Sequence, residues 1–212
     1  MADSSRTELA YAKESLWGST PASALTKLRF TGESLGYTIA TTSSSEVRAD
    51  RQVPDLIQTG ASASGTVNLE LSYGAYDTLI ESALFSVWSA PLAISVADDI
   101  AADASGSAFT SSTTDFVAAG IKAGQWVRIG GFAANSGENN GLYQVSAVTA
   151  NSLTVASAPA SDEAAAGLTV SIDGSMIRNG VSETALTLEK AFTDIGQYIA
   201  FTGMVADTMD LQ

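Results

Sequence analysis

The feature that most constrains this chain is the period of its apolar residues. Short apolar/polar alternations recur along the sequence, and one stretch switches to helical spacing. Val67-Asn68-Leu69-Glu70-Leu71-Ser72 alternates cleanly, so a strand there places Val67, Leu69 and Leu71 on one buried face. Directly after it, Tyr76, Leu79, Ile80, Ala83, Leu84, Val87 and Trp88 follow i, i+3, i+4 spacing and predict an amphipathic helix. Leu28-Arg29-Phe30-Thr31 is a short strand signal, and Glu46 to Asp50 is a further extended piece. The expected fold is mainly β, with one helix packed on a sheet.

The middle of the chain has a different texture. Residues 95 to 173 carry eight acids and only two bases, Lys122 and Arg128, among many Ala, Ser and Gly. Gln125 to Ile129, Leu142 to Val148, Ser152 to Ala156 and Leu168 to Ile172 read as strands. Asn140-Gly141 signals a type I′ hairpin turn, which needs positive φ at both central positions. The spacing leaves little room for helices, so this stretch reads as a small barrel or sandwich. The expected organisation is one discontinuous domain, residues 1–94 and 174–212, carrying an inserted small β domain, residues 95–173. Pro91 lies near the entrance of the insert and Asp173-Gly174 near its exit.

Beyond it, Asn179-Gly180 signals another turn, Leu186 and Leu188 a strand, and Tyr198 to Leu211 a last strand with Gly203 as a bulge. The chain stops at Gln212 without a terminal turn or polar tail. Such an abrupt end is not what a complete β-domain is expected to show.

Composition removes whole classes of chemistry. Among 212 residues there is no cysteine and no histidine, so thiol nucleophiles, disulfides, zinc clusters and imidazole bases are all excluded. Apolar residues make up 45% and charged ones 16%, which is a folding composition and not that of a disordered acidic tail. No run of eighteen apolar residues is present, and MADSSRTEL lacks the order of a secretory signal, so a soluble, unprocessed chain without membrane contact is expected. The formal charge is −13, and the excess is spread along the chain. Phosphate contacts need clustered Lys and Arg, so a tight grip on nucleic acid is not expected.

Gly32-Glu33-Ser34-Leu35-Gly36 matches the G-x-S-x-G nucleophile elbow after a strand signal. The elbow needs a base, which in such hydrolases is histidine, and no helical pattern follows Gly36, so a glycine-flanked turn is expected. Asp98-Asp99 and Asp162-Glu163 lack calcium-loop spacing and read as solvated loop charges. Trp88, Trp126 and Tyr143 could form a ligand platform, but each lies in an apolar alternation or helix stripe and is expected in the core. No catalytic, cofactor or metal residue is assigned.

Glu46-Val47-Arg48-Ala49-Asp50-Arg51 packs four charges into six residues. It reads either as a solvated β-edge or as an intersubunit contact, in which Arg48 and Arg51 pair with carboxylates across the interface and set register. Glu46, Arg48, Asp50, Arg51 and the later Arg178 are the candidate intersubunit residues.

Several strings carry a family resemblance. Leu28-Arg29-Phe30-Thr31-Gly32-Glu33-Ser34-Leu35, Ser45-Glu46-Val47-Arg48-Ala49-Asp50-Arg51-Gln52 and Glu70-Leu71-Ser72-Tyr73-Gly74-Ala75-Tyr76-Asp77 resemble the tail tube proteins (major tail proteins) of siphophages, long-tailed bacteriophages. Ile177-Arg178-Asn179-Gly180 and Leu188-Glu189-Lys190-Ala191-Phe192-Thr193-Asp194-Ile195 resemble the same family's second half. The resemblance covers nearly all of residues 28–88 and 174–212. It implies a β-sandwich or barrel-like core flanked by a helix, and six copies closing into a ring. Rings would stack into a tube that carries DNA through its lumen without binding it specifically.

It further implies a loop or arm, here residues 37–66, that reaches the next ring, and an added domain on the tube exterior, here residues 95–173. The other partners implied are the tape measure, tail terminator and distal tail proteins, in a virion assembled in the host cytoplasm. The competing functions are a β-rich binding or adhesin-type module or other virion component, suggested by the Ala/Ser/Gly-heavy middle, and an enzyme, for which no base or metal site can be assembled.

Overall fold

The computed structural model describes residues 6–44 and 56–211. In chain order the strands are β1 Thr7–Lys13, β2 Thr26–Leu28, β3 Gly32–Glu33, β4 Gly36–Ser43, β5 Leu56–Ser64 and β6 Val67–Asn68, then the helix α1 Asp77–Leu84. There follow β7 Leu92–Ala97, β8 Ile100–Asp103, β9 Ala108–Ser111, β10 Trp126–Gly130, β11 Gly141–Val148, β12 Ser152–Val155 and β13 Thr169–Gly174, and finally β14 Leu186–Phe192 and β15 Gln197–Met204. The protein is mainly β with one α-helix. It forms two compact units, residues 1–86 with 179–212, and residues 87–178. The strand pair β7–β13 runs in register from Leu92↔Gly174 to Ala97↔Thr169, across the expected module boundaries at 95 and 173.

The first unit is built on an antiparallel sheet ordered β15-β14-β1-β2, so the chain's first and penultimate strands pair at its centre. Leu9, Tyr11, Leu28, Leu188 and Phe201 of this sheet pack with Leu35 and Tyr76, and Leu79 of α1 joins them. Leu9 and Tyr11 alternate with exposed Glu8 and half-buried Ala10, as a strand with one face in the core requires. Tyr76 Oη donates to the Arg29 carbonyl at 3.1 Å, joining the residue before α1 to the chain that leaves β2.

α1 ends earlier than its sequence stripe predicts. Phe85 takes a left-handed conformation (φ 49°) and Ser86 N–H donates back to Glu81 O, so Val87 and Trp88 lie outside the helix. The expected strand from Val67 to Ser72 is also shorter: pairing stops at Asn68, and Leu71 is 73% exposed instead of buried. The strand signal at Leu28–Thr31 is realised from two residues earlier, at Thr26, and residues 29–31 leave the sheet. Gly203 (φ 68°) does sit in a bulge, because Leu188↔Phe201 and Leu186↔Met204 leave one extra residue on β15. Residues 205–211 are not strand.

Buried Glu14 fastens this end of the sheet. Its carboxylate accepts Gly18 N–H at 2.7 Å, Thr187 Oγ1–H at 2.7 Å and Gly203 N–H at 2.8 Å. Burial pushes its pKa up, and these donors outweigh burial and hold it below the usual value. Gly180 N–H donates to Leu84 O and Ser182 N–H to Phe85 O, so the two chain ends that leave this unit are closed against each other.

The second unit is one antiparallel sheet ordered β7-β13-β10-β11-β12-β9-β8. Its outermost strands, β7 and β8, are neighbours in sequence, joined by Asp98-Asp99 alone. Laid flat, seven strands would put those edges roughly 29 Å apart, whereas the three Cα steps from Ala97 to Ile100 span at most about 11 Å. The sheet must therefore roll up, and it encloses Phe109, Phe116, Val127, Ile129, Leu153 and Ile172.

The corner itself corrects the reading of Asp99 as a solvated charge, while Asp98 is exposed. Asp98, left-handed at φ 55°, accepts Gly167 N–H at 2.5 Å on the β13 side. Asp99 is 7% exposed and grips the Ser111–Thr114 turn beside β9. It accepts from the hydroxyls of Ser111 (2.6 Å), Ser112 (2.8 Å) and Thr114 (2.6 Å), and from the N–H groups of Ser112, Thr113 and Thr114.

Glu163 is corrected in the same way. It accepts Ala133 and Ala134 N–H, both at 2.8 Å, and Asn139 Nδ2–H at 2.9 Å, while its backbone bridges Ala102 of β8. Asn140-Gly141 is not a type I′ turn either, since neither residue has positive φ. Asn140 instead clasps both the N–H and the carbonyl of Phe132, closing a longer β10–β11 loop. Tyr143 is buried as expected, but Trp126 is 57% exposed because Val127 and Ile129 take the inward positions of β10.

Burial raises the Asp99 pKa, and the hydroxyl and N–H donors overwhelm that and drive it far below the ordinary aspartate value. A depressed pKa stabilises the fold fully above the unfolded value of about 3.9 and loses that contribution as pH falls toward the folded value. Asp99→Ala, which strands six donors around a buried site, is expected to cost about 3 kcal/mol. Chemical denaturation of wild type and variant should show the difference at pH 7 and a shrinking gap between pH 4 and pH 2. A gap that stays constant down to pH 2 contradicts the assigned role.

Candidate assembly interface

β4 and β5 pair from Gly36↔Ser64 to Ser43↔Leu56 as a two-stranded ribbon. Along both strands only Ala63 is even half-buried. An isolated two-stranded ribbon is marginal in water, because neither face is covered. Tyr37 and Ile39 alternate on one strand at 57% and 50% exposure, and Leu56 and Ile57 on the other stand at 66% and 48%. Residues 36–44 and 56–66 contain no charged side chain, while the 45–55 stretch between them holds Glu46, Arg48, Asp50, Arg51 and Asp55. Natural exposed edges are blunted by Lys, Pro or inward charge, and this ribbon has none of these.

At the base of the ribbon lies the G-x-S-x-G string. Ser34 Oγ is within 2.9 Å of Thr66 Oγ1 and accepts Thr66 N–H at 2.9 Å, so it closes the ribbon's foot. Glu33 is anchored to the sheet: its carboxylate meets Lys190 Nζ at 2.6 Å and accepts Leu35 N–H at 2.9 Å. Both side chains of that ion pair are about 15% exposed, so the foot of the ribbon is held on β14 by a largely desolvated contact.

The ribbon is part of a wider asymmetry. Of eighteen large apolar side chains exposed among the described residues, Val87, Val117, Trp126 and Leu142 are the four in the second unit. The other fourteen are in the first, including Leu16, Trp17, Tyr73, Val181, Tyr198 and Ile199. Contiguous exposed apolar surface marks an interaction site.

Of the residues expected at subunit contacts, Glu46, Arg48, Asp50 and Arg51 lie outside the described residues. Arg178 is exposed and donates to the Ala123 carbonyl of its own chain. Sequence reasoning passed over Tyr37, Ile39, Leu56 and Ile57. The available signal was the missing charge on both sides of the charged stretch. Among the described residues no group of three or more carboxylates could hold a metal ion, and no helix is long and apolar enough to cross a membrane.

Residues 4–212 match the family model described as phage tail tube protein. The chain belongs to the phage tail tube protein family. No curated protein matches it. Tail tube proteins are structural components of the virion and not an enzyme family; they associate with copies of themselves and with other tail components. The exposed apolar side chains of the first unit are its candidate contact residues.

Ile39→Asp places a charge where the ribbon is half exposed, so the isolated subunit should keep its circular dichroism and melting temperature. Self-association should fall at least tenfold, as a desolvated, unpaired carboxylate costs more than about 1.4 kcal/mol. Leu142→Asp, at a position 69% exposed on the second unit, should associate like wild type. Analytical ultracentrifugation separates the two outcomes, and equal loss in both variants counts against the ribbon.

Proposed function

We propose that six copies of this chain close into a ring and that rings stack into the tail tube of a siphophage, a conduit for DNA ejection. The observation that carries this reading is the β4–β5 ribbon: uncharged, exposed on both faces, and marginal until a neighbouring copy covers it. It serves as the arm between rings, with Glu46, Arg48, Asp50, Arg51 and Arg178 as intersubunit contacts. Tape measure, tail terminator and distal tail proteins are the other partners, met during assembly in the host cytoplasm.

The β7–β13 unit, close to the expected 95–173 module, sits on the tube exterior in this reading. Its own core and few exposed apolar side chains support an accessory place. Because Gly180 and Ser182 already bond Leu84 and Phe85, a short Gly-Ser linker can replace residues 87–178 without straining the ends. Negative-stain microscopy should show tubes from the wild type and thinner tubes from the linker variant. Monomers from the wild type, or insolubility of the linker variant, would overturn the tube and the accessory placement respectively.

The lumen in this reading is acidic and does not hold DNA. Residues 1–94 carry ten acids and six bases, and residues 174–212 carry five acids and two bases, so the tube-forming part is itself negative. Duplex DNA carries one negative charge per ~1.7 Å of axis, and repulsion keeps it mobile. Filter binding of assembled tubes to duplex DNA at low salt should give no retention at micromolar concentrations. Tight, steeply salt-sensitive binding would mean a DNA-gripping wall.

A further inference from the structure

One end of β1 carries an apolar projection and the other an open groove. Past Lys13 the chain turns through Leu16 and Trp17, which are 71% and 60% exposed. The turn is rigidly built: Gly18 (φ 71°) donates its N–H to buried Glu14, and Ser19 N–H donates to Leu16 O at 3.1 Å. The same Glu14 carboxylate holds the β15 bulge at Gly203, over which the Trp17 indole lies. A buried carboxylate thus preorganises an exposed tryptophan, the arrangement that lowers the ordering cost of docking.

At the opposite end, where β1 begins and the chain leaves β2, lies an open groove of about 360 Å³. Buried Leu9 and Leu28 and half-buried Phe30 line it, with Glu8, Lys27 and Arg29 at its exposed rim. Its volume is within the roughly 300–1,000 Å³ range of sites that take organic groups. Lys27 pairs with Glu8 at 2.8 Å across the rim, while Arg29 has no ion-pair partner among the described residues. With Leu9 and Leu28 nearly covered and Lys27 paired, half-buried Phe30 and exposed Arg29 are the groups left to meet an indole, whose face attracts Arg.

We propose that Trp17 of one copy seats in the Leu9–Leu28–Phe30 groove of the next, a head-to-tail contact distinct from the arm. Seven residues of strand separate projection and groove by roughly 24 Å. Different patches meeting in this way make a heterologous contact, which propagates through successive copies instead of ending at a dimer. The contact rests on the tube reading above.

The chain has no cysteine, so thiols can be placed at will. Leu16→Cys with Thr31→Cys, both exposed positions outside the groove lining that leave Trp17 in place, should on diamide oxidation of assembled protein give a ladder of covalent multimers. Either single variant should give no ladder. Trp17→Ala should need at least tenfold more protein to assemble while the dispersed subunit keeps its circular dichroism, and Trp17→Phe should restore much of the loss. Tubes without a ladder, or Trp17→Ala assembling at the wild-type concentration, overturn the contact and leave the tube intact. Neither tubes nor ladder in the double variant, with no tubes from the wild type, overturns both.

Discussion

The pairing of β1 with β14 is the constraint on which the rest depends. At Ala12↔Thr187 these strands lie 175 residues apart in the chain, yet they are the two central strands of the sheet β15-β14-β1-β2. Without β14 and β15, β1 keeps only three-residue β2, too little sheet to bury Leu9 and Tyr11. The first unit is therefore complete only after nearly the whole chain has been made. Everything between Ser86 and Asn179 must fold without pulling these ends apart. The backbone bonds from Gly180 to Leu84 and from Ser182 to Phe85 meet that requirement.

The two units solve the problem of strand edges in opposite ways. In the second, the sheet rolls until its edges meet at a two-residue corner, and Asp98 and Asp99 each fasten one side of it. Glu163, Asn139 and Tyr143 then tie the remaining loop, with Tyr143 Oη donating to Asn139 O at 2.9 Å and its ring edge-on to Phe109. Apart from the buried Ser161 hydroxyl, that unit satisfies its buried side-chain polar groups, and it leaves little apolar surface uncovered. The first unit keeps open edges, an uncovered ribbon and a projecting Trp17, which are liabilities for a monomer and contact surfaces for a subunit.

What the sequence revealed follows from how many faces a strand buries. β10, β11 and β12 each bury one face, so the alternation at Val127 and Ile129, or Tyr143 and Val145, was legible. The ribbon buries neither face, and no periodicity distinguishes it from a loop; only the absence of charge does. Asp99 and Asp98 are neighbours of one type, and nothing local says which points inward; that depends on the Ser111–Thr114 turn twelve residues away. Asn140 was misread because its amide closes a loop by bonding Phe132, where the dipeptide rule assumes that Asn adopts positive φ. Trp126 was misplaced by hydrophobicity alone, although its position opposite in phase to Val127 and Ile129 was there to be read.

Charge bears on the form that contact surfaces take in the proposed assembly. Subunits of formal charge −13 repel one another, and screening at physiological salt is effective only beyond about 8 Å. Association of such subunits needs contacts whose burial costs no carboxylate desolvation and whose apolar area exceeds the residual repulsion. The charge-free β4 and β5 meet the first condition, and Tyr37, Ile39, Leu56 and Ile57 supply the second. The few bases are placed where they relieve acids locally: Lys13 on Glu81, Lys27 on Glu8, Lys190 on Glu33. The excess of acid is thereby left to surfaces that stay in water, where the same repulsion that opposes crowding also keeps a polyanion from adhering.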